Sequence, residues 1–450
     1  MLFPPPDALA VSTLGACGVP SPLQRYQERF VEDTERVLVS AHTATLEPLL
    51  KAGQTLPTFE IAGPRAEIYF APETLTCGVV TCGGLCPGQN NVIRSIVLTL
   101  TYAYGVRRIV GFRYGYAGLS SAGGFAPLLL TPEVVETIHE HGGTLLGSSR
   151  GPQDVGDMVD TLVKWNVGIL FAIGGDGTLR GGSALHQEIT RRRLPIAVIG
   201  VPKTIDNDLL WIERSFGFAT AVEEADNALV AAHAEARGAW NGIGLVKLMG
   251  RHAGFIATHA SLANADVNFC LVPEVPFTLD GQGGFLQALE DRLDRKHHAV
   301  VVVAEGAGQE LLQDPKRLAH DASGNLRLHD IGVFLRDQIV HYFAQCDKET
   351  SVKYIDPSYI IRGIPANAVD AEYCLLLGQH AVHAGMAGRT NMVVGYWNQH
   401  FTHLPIAQAV SGRKQLDPQG EVWQRVLEAT GQPASLVGQS IGSGLAQRKE

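Results

Sequence analysis

A chain of 450 residues with a formal net charge of −9 is longer than one ordinary hydrophobic core, so two domains with appendages are expected. Its charges are interspersed and no basic block stands out, which argues against a nucleic-acid surface and leaves any polyanionic ligand to a local cluster of Arg and Lys. No apolar run approaches membrane-spanning length, "MLFPPPDALA" lacks the basic start and apolar core of a leader, and seven scattered Cys do not suggest a disulfide framework, so the expectation is a cytosolic protein with no membrane partner.

From Met1 to about Pro72 the chain is punctuated by Pro and holds one amphipathic stretch, "LQRYQERFVEDTERVL", which reads as an arm or docking segment. The pattern changes at Thr76. "TCGVVTC" reads as a strand, "GGLCPGQN" as a turn and "NVIRSIVLTLTYAYG" as a helix with apolar residues at helical spacing. Strand "RRIVGF" follows, then a helix capped at Thr131-Pro132, helix "DMVDTLVKW", and strands "VGILFAIGG" and "PIAVIG". A capping box of Thr220 and Glu223 is expected to open the helix "ATAVEEADNALVAAHAEA". A second run continues with strand "GIGLVKL", helices "GFIATHASLA" and "GGFLQALEDRLDRK", strand "HAVVVVAEG" and helix "IGVFLRDQIVHYFA". This alternation predicts doubly wound α/β layers with mainly parallel sheets and with sites at the carboxyl ends of the strands.

Three Gly-rich or polar turns each follow an apolar strand: "GGLCPG", "GGDGTLRGG" and "PKTIDND". On one edge of a parallel sheet, glycines let backbone N–H groups approach phosphates, and the helix N-termini beyond them favour anions. Asp176 between glycines can hold Mg²⁺ beside such phosphates, or serve its own turn as an acceptor for local amides. Asp206 and Asp208 share a face in extended backbone and one could take a proton from an alcohol; an Asx-turn is the other use of Asp-Asn-Asp. Arg251 of "LMGRHAGF" is a phosphate clamp or a surface arginine, and Glu305 of "VVVVAEG" a hydroxyl acceptor or a solvated strand end. "KYIDPSYIIRG" adds Lys353, Tyr359 and Arg362. Cys77, Cys82 and Cys86 do not make a metal site by spacing, since Cys77 and Cys82 point to opposite faces of a strand.

Taken in order, "GGLCPGQN", "GGDGT", "PKTIDND", "MGR", "AEG" and "KYIDPSYIIR" resemble the phosphofructokinase family, and within it the long-chain ATP-using branch of plants and trypanosomatids. The resemblance implies two Rossmann-like domains with the active site between them, and phosphorylation of fructose 6-phosphate at its 1-hydroxyl. It assigns residues 73–218 and 363–430 to an ATP-binding domain and 219–362 to a sugar-phosphate domain, with 1–72 an extension and 431–450 a tail. Asp206 would be the base, Thr204 and Lys203 contacts to the transferred phosphoryl, Asp176 the Mg²⁺ residue and Asp208 its support. Gly84, Arg150, Gly151, Gly175, Gly177 and Thr178 would contact ATP. Met249, Gly250, Arg251, Glu305, Lys353, Tyr359 and Arg362 would hold the sugar phosphate. A cytoplasmic homo-oligomer, dimer or tetramer, completes the expectation.

In this family a lysine at the place of Lys203 is similar to pyrophosphate users. Those members carry a second Asp where this chain has Gly177, and that carboxylate would repel the α-phosphate of ATP. ATP is therefore the expected donor and pyrophosphate the alternative. The chain departs from short bacterial members at Gly242, where an arginine reaches a neighbouring subunit, and at Leu98, which replaces one of two effector-site arginines while Arg94 matches the other. A catalytically silent nucleotide sensor is the rival of another class, and it would have lost Asp206, Asp176 or Arg251.

Overall fold

The computed structural model describes residues 3–26, 29–312 and 328–439. Two units emerge, Met1–Ala219 with Arg362–Lys414, and Thr220–Ile361 with Gln415–Glu450.

In the first unit one sheet runs Arg36–Leu38, Thr58–Ile61, His400–Pro405, Met392–Trp397, Ala197–Pro202, Val167–Gly174, Thr76–Thr81, Arg108–Phe112, Leu128–Leu129. The five strands from Met392–Trp397 to Arg108–Phe112 are parallel, and antiparallel strands flank them on both sides. Strand alternation sorts the apolar side chains onto two faces. Cys77, Val79, Ile169, Phe171, Ile173, Ile199 and Val201 join Ile93, Ile96 and Leu377 in one core, while Val80, Leu170, Ala172 and Val198 join Met158, Leu162, Leu185 and Ile189 in another. Cys82 lies in the second of these cores, opposite Cys77, and burial pushes its thiol up to about 12.

The N-terminal residues read as an arm supply two antiparallel strands to this sheet. A buried ionic knot fastens them. Glu60 Oε1 accepts from Arg65 Nη2 (3.1 Å) and Arg389 Nε (2.8 Å) and meets His403 Nδ1 at 2.9 Å, and Asp33 bonds both arginines from outside. Within the amphipathic stretch, Pro22–Arg25 forms a short 3₁₀ turn and Arg36–Leu38 a strand; residues 27 and 28 lie outside the described ones.

The second unit holds a four-stranded parallel sheet in the order Phe269–Leu271, His298–Ala304, Gly242–Leu248, Ser351–Ile355. Ile243 and Leu245 face a core built with helices Phe285–Lys296 and Ile331–Gln345. Gly242 and Gly244 face the other way, onto helix Phe218–Gly238: a Cβ at Gly242 would lie 2.1 Å from the Ala236 carbonyl oxygen, and one at Gly244 2.6 Å from that of Ala232. Residues 363–430 were read together, but helix Glu421–Thr430 belongs to this second unit, where it packs on helix Phe255–Ala263 and Gln432 bonds the Cys270 main chain. Of the expected tail, residues 440–450 lie outside the described ones.

Two local expectations fail. No α-helix follows Thr131-Pro132; the segment turns and forms only a 3₁₀ element, Ile138–Glu140. Val135 and Ile138 are its buried apolar residues, so the short run before Gly142-Gly143 has little apolar face to pack, and a short helix depends on such packing for its stability. Thr220 does not cap a helix either, because helix Phe218–Gly238 begins two residues earlier. Gly217, at φ 84° beside Cys86 and Pro87, sets that start: it alone tolerates both the conformation and the contact.

Candidate active site

In the first unit, the register pairs Thr81 with Ile173 and Pro202 with Gly174, so three strands end level and deliver three turns to one edge. Lys203 N–H donates to the Gly174 carbonyl (3.0 Å), locking the third turn to the second. The Lys203 side chain, 6% exposed, crosses to the first turn and donates from Nζ to the Gly84 carbonyl at 2.8 Å. Burial pushes its pKa below the ordinary lysine value, and the charges of Arg362 and Arg150 push the same way. Arg150 lies against the first turn: a Cβ on Gly84 would be 3.3 Å from its Nη2. The neighbouring "GSSRG" loop is pinned there by Ser148 Oγ donating to Gly83 O and Gly83 N–H donating to Ser149 O, with Gly151 at φ 97° turning the chain away.

The second turn opens helix Asp176–Arg191. Gly175 is its N-cap and no side chain caps it, which leaves that helix end to an anion. Gly174 must be glycine because its Cβ would overlap Thr178, whose carbonyl is held by the Tyr116 hydroxyl at 2.7 Å. Gly177 is different: a Cβ there would meet nothing within 4 Å. Asp176 Oδ1 accepts from Arg180 Nε at 2.9 Å, one helical turn on. Among the described residues no three His, Cys, Asp or Glu gather as a cation cage. A lone carboxylate beside an uncapped helix start suits Mg²⁺, which takes one or two carboxylates together with substrate phosphates and waters.

In the third turn Thr204 Oγ1 donates to Asp208 Oδ1 at 2.6 Å, so Asp208 is engaged within the turn. Asn207, at φ 54°, donates from Nδ2 to Glu213 O and accepts the Ser215 N–H, and Ser215 Oγ donates to Thr204 O. This lacing runs from Asn207 to the backbone of Glu213 and Ser215, well beyond the residue two positions on that an Asx-turn would engage, so Asn207 ties the turn to the following loop. From outside, Lys414 N–H donates to Asp208 O (2.8 Å) and its Nζ to Ile212 O and Glu213 O. Asp206 is half-buried in the same turn.

In the second unit, the ends of two adjacent strands interlock. Leu248 pairs with Ala304, Glu305 N–H donates to Leu248 O (2.9 Å) and Gly306 N–H to Gly250 O (3.1 Å). Gly250 is at φ 126°, and a Cβ on Gly306 would sit 2.0 Å from Arg251 O, so both glycines are required for the two turns to mesh. Met249 is fully buried and anchors the loop, while Arg251 is half-buried at its end. The helix after this loop starts at Gly254, whose N–H is taken by the Glu274 carboxylate.

The structure does not bring Lys353 to this edge. It is exposed on the outermost strand, in register with Gly244, four residues before the end of its neighbour. Tyr359 is 84% exposed. Arg362 belongs to the first unit, where its charge acts on Lys203.

Residues that sequence reading missed serve as supports. Lys247 bonds Asp330 (3.1 Å) and Asp356 (2.8 Å), which hold its pKa above the ordinary value against the cost of burial and fasten the "KYIDP" segment. A lysine inside the apolar strand "GIGLVKL" was the signal. Glu274 and Lys414 gave none, because their partners lie on other elements; Arg180 stands one helical turn after Asp176, a spacing the sequence shows, but its second partner, the Val410 carbonyl, is distant in the chain. Gly242 has no room for a side chain at all, and Arg94 is spent on the Glu136 carbonyl (3.2 Å).

Comparison with known proteins adds the following. Residues 76–385 match the phosphofructokinase family. The chain is 51% identical over 384 residues to an "ATP-dependent 6-phosphofructokinase" of Borreliella burgdorferi, covering 84% of this chain and 86% of that protein. It is 44% identical over 439 residues to one of Trypanosoma brucei brucei, covering 94% and 87%. Among solved structures, a "Pyrophosphate-dependent phosphofructokinase" from Marinobacter aquaeolei superposes with a TM-score of 0.64 at 18% identity, covering 81% of this chain and 92% of that one, a likeness of fold alone.

Proposed function

The chain belongs to the phosphofructokinase family, and from that premise we infer that it transfers the terminal phosphoryl of ATP to the 1-hydroxyl of fructose 6-phosphate, giving fructose 1,6-bisphosphate and ADP. The observation that carries this reading is the Lys203 crossing, which joins three strand-end turns into one cradle with Asp206, Thr204 and Asp176 on its rim.

Phosphoryl transfer asks for positioning and charge neutralisation more than for covalent help. Gly84, Gly175 and the uncapped start of helix Asp176–Arg191 present backbone N–H groups to the donor phosphates, with Arg150 and Lys203 as fixed positive charges and Gly151, Gly177 and Thr178 shaping the rim. Mg²⁺ held at Asp176 would supply further neutralisation of the donor phosphates. Asp206 accepts the proton of the attacking hydroxyl, Thr204 meets the transferred phosphoryl, and Asp208 keeps Thr204 oriented through their 2.6 Å bond. Gly177 leaves open space where a carboxylate would oppose the α-phosphate, which favours ATP as donor.

The second unit carries the acceptor residues: Arg251 for the sugar phosphate, Glu305 for hydroxyls, Met249 and Gly250 to set the loop. We also assign Tyr359 and Arg362 to the sugar phosphate and leave Lys353 out, given its place on the outer strand. A homo-oligomer, dimer or tetramer, belongs to the same reading and rests on the family resemblance. A cytoplasmic setting accords with the described helices, none of which is long and apolar enough to cross a membrane. Phosphorus NMR of a reaction of the full chain with MgATP and fructose 6-phosphate tests the chemistry: the expected products are ADP and a 1,6-bisphosphate, and phosphorylation elsewhere on the sugar, or free phosphate alone, would refute it.

A further inference from the structure

We infer that Arg180 is a positioning residue for Asp176, working as a bridge between that carboxylate and the chain segment that also braces Asp208. The inference rests on the reading of Asp176 as the Mg²⁺ residue. A solvent-facing ion pair one helical turn apart ordinarily contributes little, because both side chains swing freely. Arg180 is fixed at a second point. Its Nε donates to Asp176 Oδ1 at 2.9 Å, and its Nη2 donates to the Val410 carbonyl at 2.5 Å.

Val410 belongs to a segment with a second duty. Four residues on, Lys414 N–H donates to Asp208 O at 2.8 Å, and Arg413 Nη1 lies 3.4 Å from Asp208 Oδ2. The stretch from Val410 to Lys414 therefore braces both aspartate-bearing turns of the donor edge, one through Arg180 and one directly. The Arg180 bond engages Oδ1 of Asp176 and leaves Oδ2 to a cation. Carboxylates that ligate metals depend on such an outer partner for orientation, and its loss typically costs about 10- to 100-fold in metal affinity.

Calorimetric titration of the full chain with ADP, once with Mg²⁺ and once in EDTA, tests this without turnover. The ratio of the two dissociation constants measures what the metal adds. Arg180 is more than half exposed, so Arg180→Met should keep its melting temperature within a few degrees. The expected result is that Arg180→Met lowers the ratio about tenfold, leaves ADP affinity in EDTA unchanged, and is not rescued by Arg180→Lys, whose single ammonium does not span both acceptors. Weaker ADP binding in EDTA would make Arg180 a nucleotide contact instead. An unchanged or larger ratio would make it a surface ion pair or a competitor of the metal, and full rescue by lysine would mean that charge alone matters; each overturns the inference. Asp176→Asn separates the two levels. If it collapses the ratio while Arg180→Met does not, the bridge alone is wrong, and if it leaves the ratio intact, the Asp176 reading fails and takes the bridge with it.

Discussion

Lys203 Nζ stands 2.8 Å from the carbonyl oxygen of Gly84, so a buried ammonium ties the turn after the third strand to the turn after the first. Lysine here is a cross-brace as well as a charge. Its presence therefore does not by itself mark a pyrophosphate user. Replacing it by Met should lower kcat at least about tenfold while ATP stays the preferred donor, because one fixed cation and one brace are lost together. Steady-state kinetics check this, and an unchanged kcat would reduce Lys203 to a packing role.

Asp206→Asn keeps the shape of the third turn, whose lacing runs through Asn207 and Ser215. The expected loss in kcat is about 10² to 10⁴, with the affinity for fructose 6-phosphate largely retained. Near-normal turnover would remove Asp206 from the role of base.

Arg251→Ala should raise the KM for fructose 6-phosphate about 10- to 100-fold and lower kcat as well, the usual scale for a charged hydrogen bond to phosphate. Arg251→Lys should recover little, since an ammonium lacks the fork of a guanidinium. A KM unchanged in the alanine variant would leave Arg251 as a surface arginine.

Burial alone would raise the pKa of Glu60, but the bonds and charges of His403 and Arg389 hold it down to about 2, well under its ordinary 4.5. The folded state thus keeps Glu60 ionised where the unfolded chain would protonate it. The resulting stability is present above pH 4.5 and is lost as pH falls from there towards 2. Glu60→Gln should flatten that stretch of the melting-temperature profile and destabilise the protein by about 3–5 kcal/mol at neutral pH, because Arg389 and Arg65 lose a buried counter-charge. Calorimetric scans across that range decide it; an equal acid slope in the variant would mean that other carboxylates govern acid unfolding.

Much of the turn-bearing edge of the first unit was legible because it is local. Strand, glycine turn and helix follow one another in "TCGVVTCGGLCPGQN" and "VGILFAIGGDGT", and parallel pairing makes their ends level. The interlocked strand ends of the second unit were legible for the same reason at "GLVKLMGR" and "VVVVAEG". What the sequence hid was set by contacts distant along the chain. The knot of Glu60 with Arg389 and His403 spans more than three hundred residues, and it turned an expected arm into sheet strands. The reach of Arg180 to Val410 spans 230 residues. Lys353 misled because it shares a motif with Tyr359 and Arg362, which we assign to the sugar phosphate, while its own strand lies at the far edge of the sheet.

Donor choice is where the central claim is most exposed, and initial rates of the unmodified chain with fructose 6-phosphate and Mg²⁺, with ATP and pyrophosphate compared in parallel, test it most directly. Gly177→Asp run alongside ties the answer to one residue: its Cβ meets nothing within 4 Å, and an acidic residue suits the first turn of a helix, so the variant should fold. The account predicts that the unmodified chain works with ATP at a kcat/KM at least about 10²-fold above that with pyrophosphate, and that Gly177→Asp loses most of its ATP activity through repulsion of the α-phosphate. An unmodified chain that prefers pyrophosphate, or a Gly177→Asp variant that still uses ATP well, would contradict it.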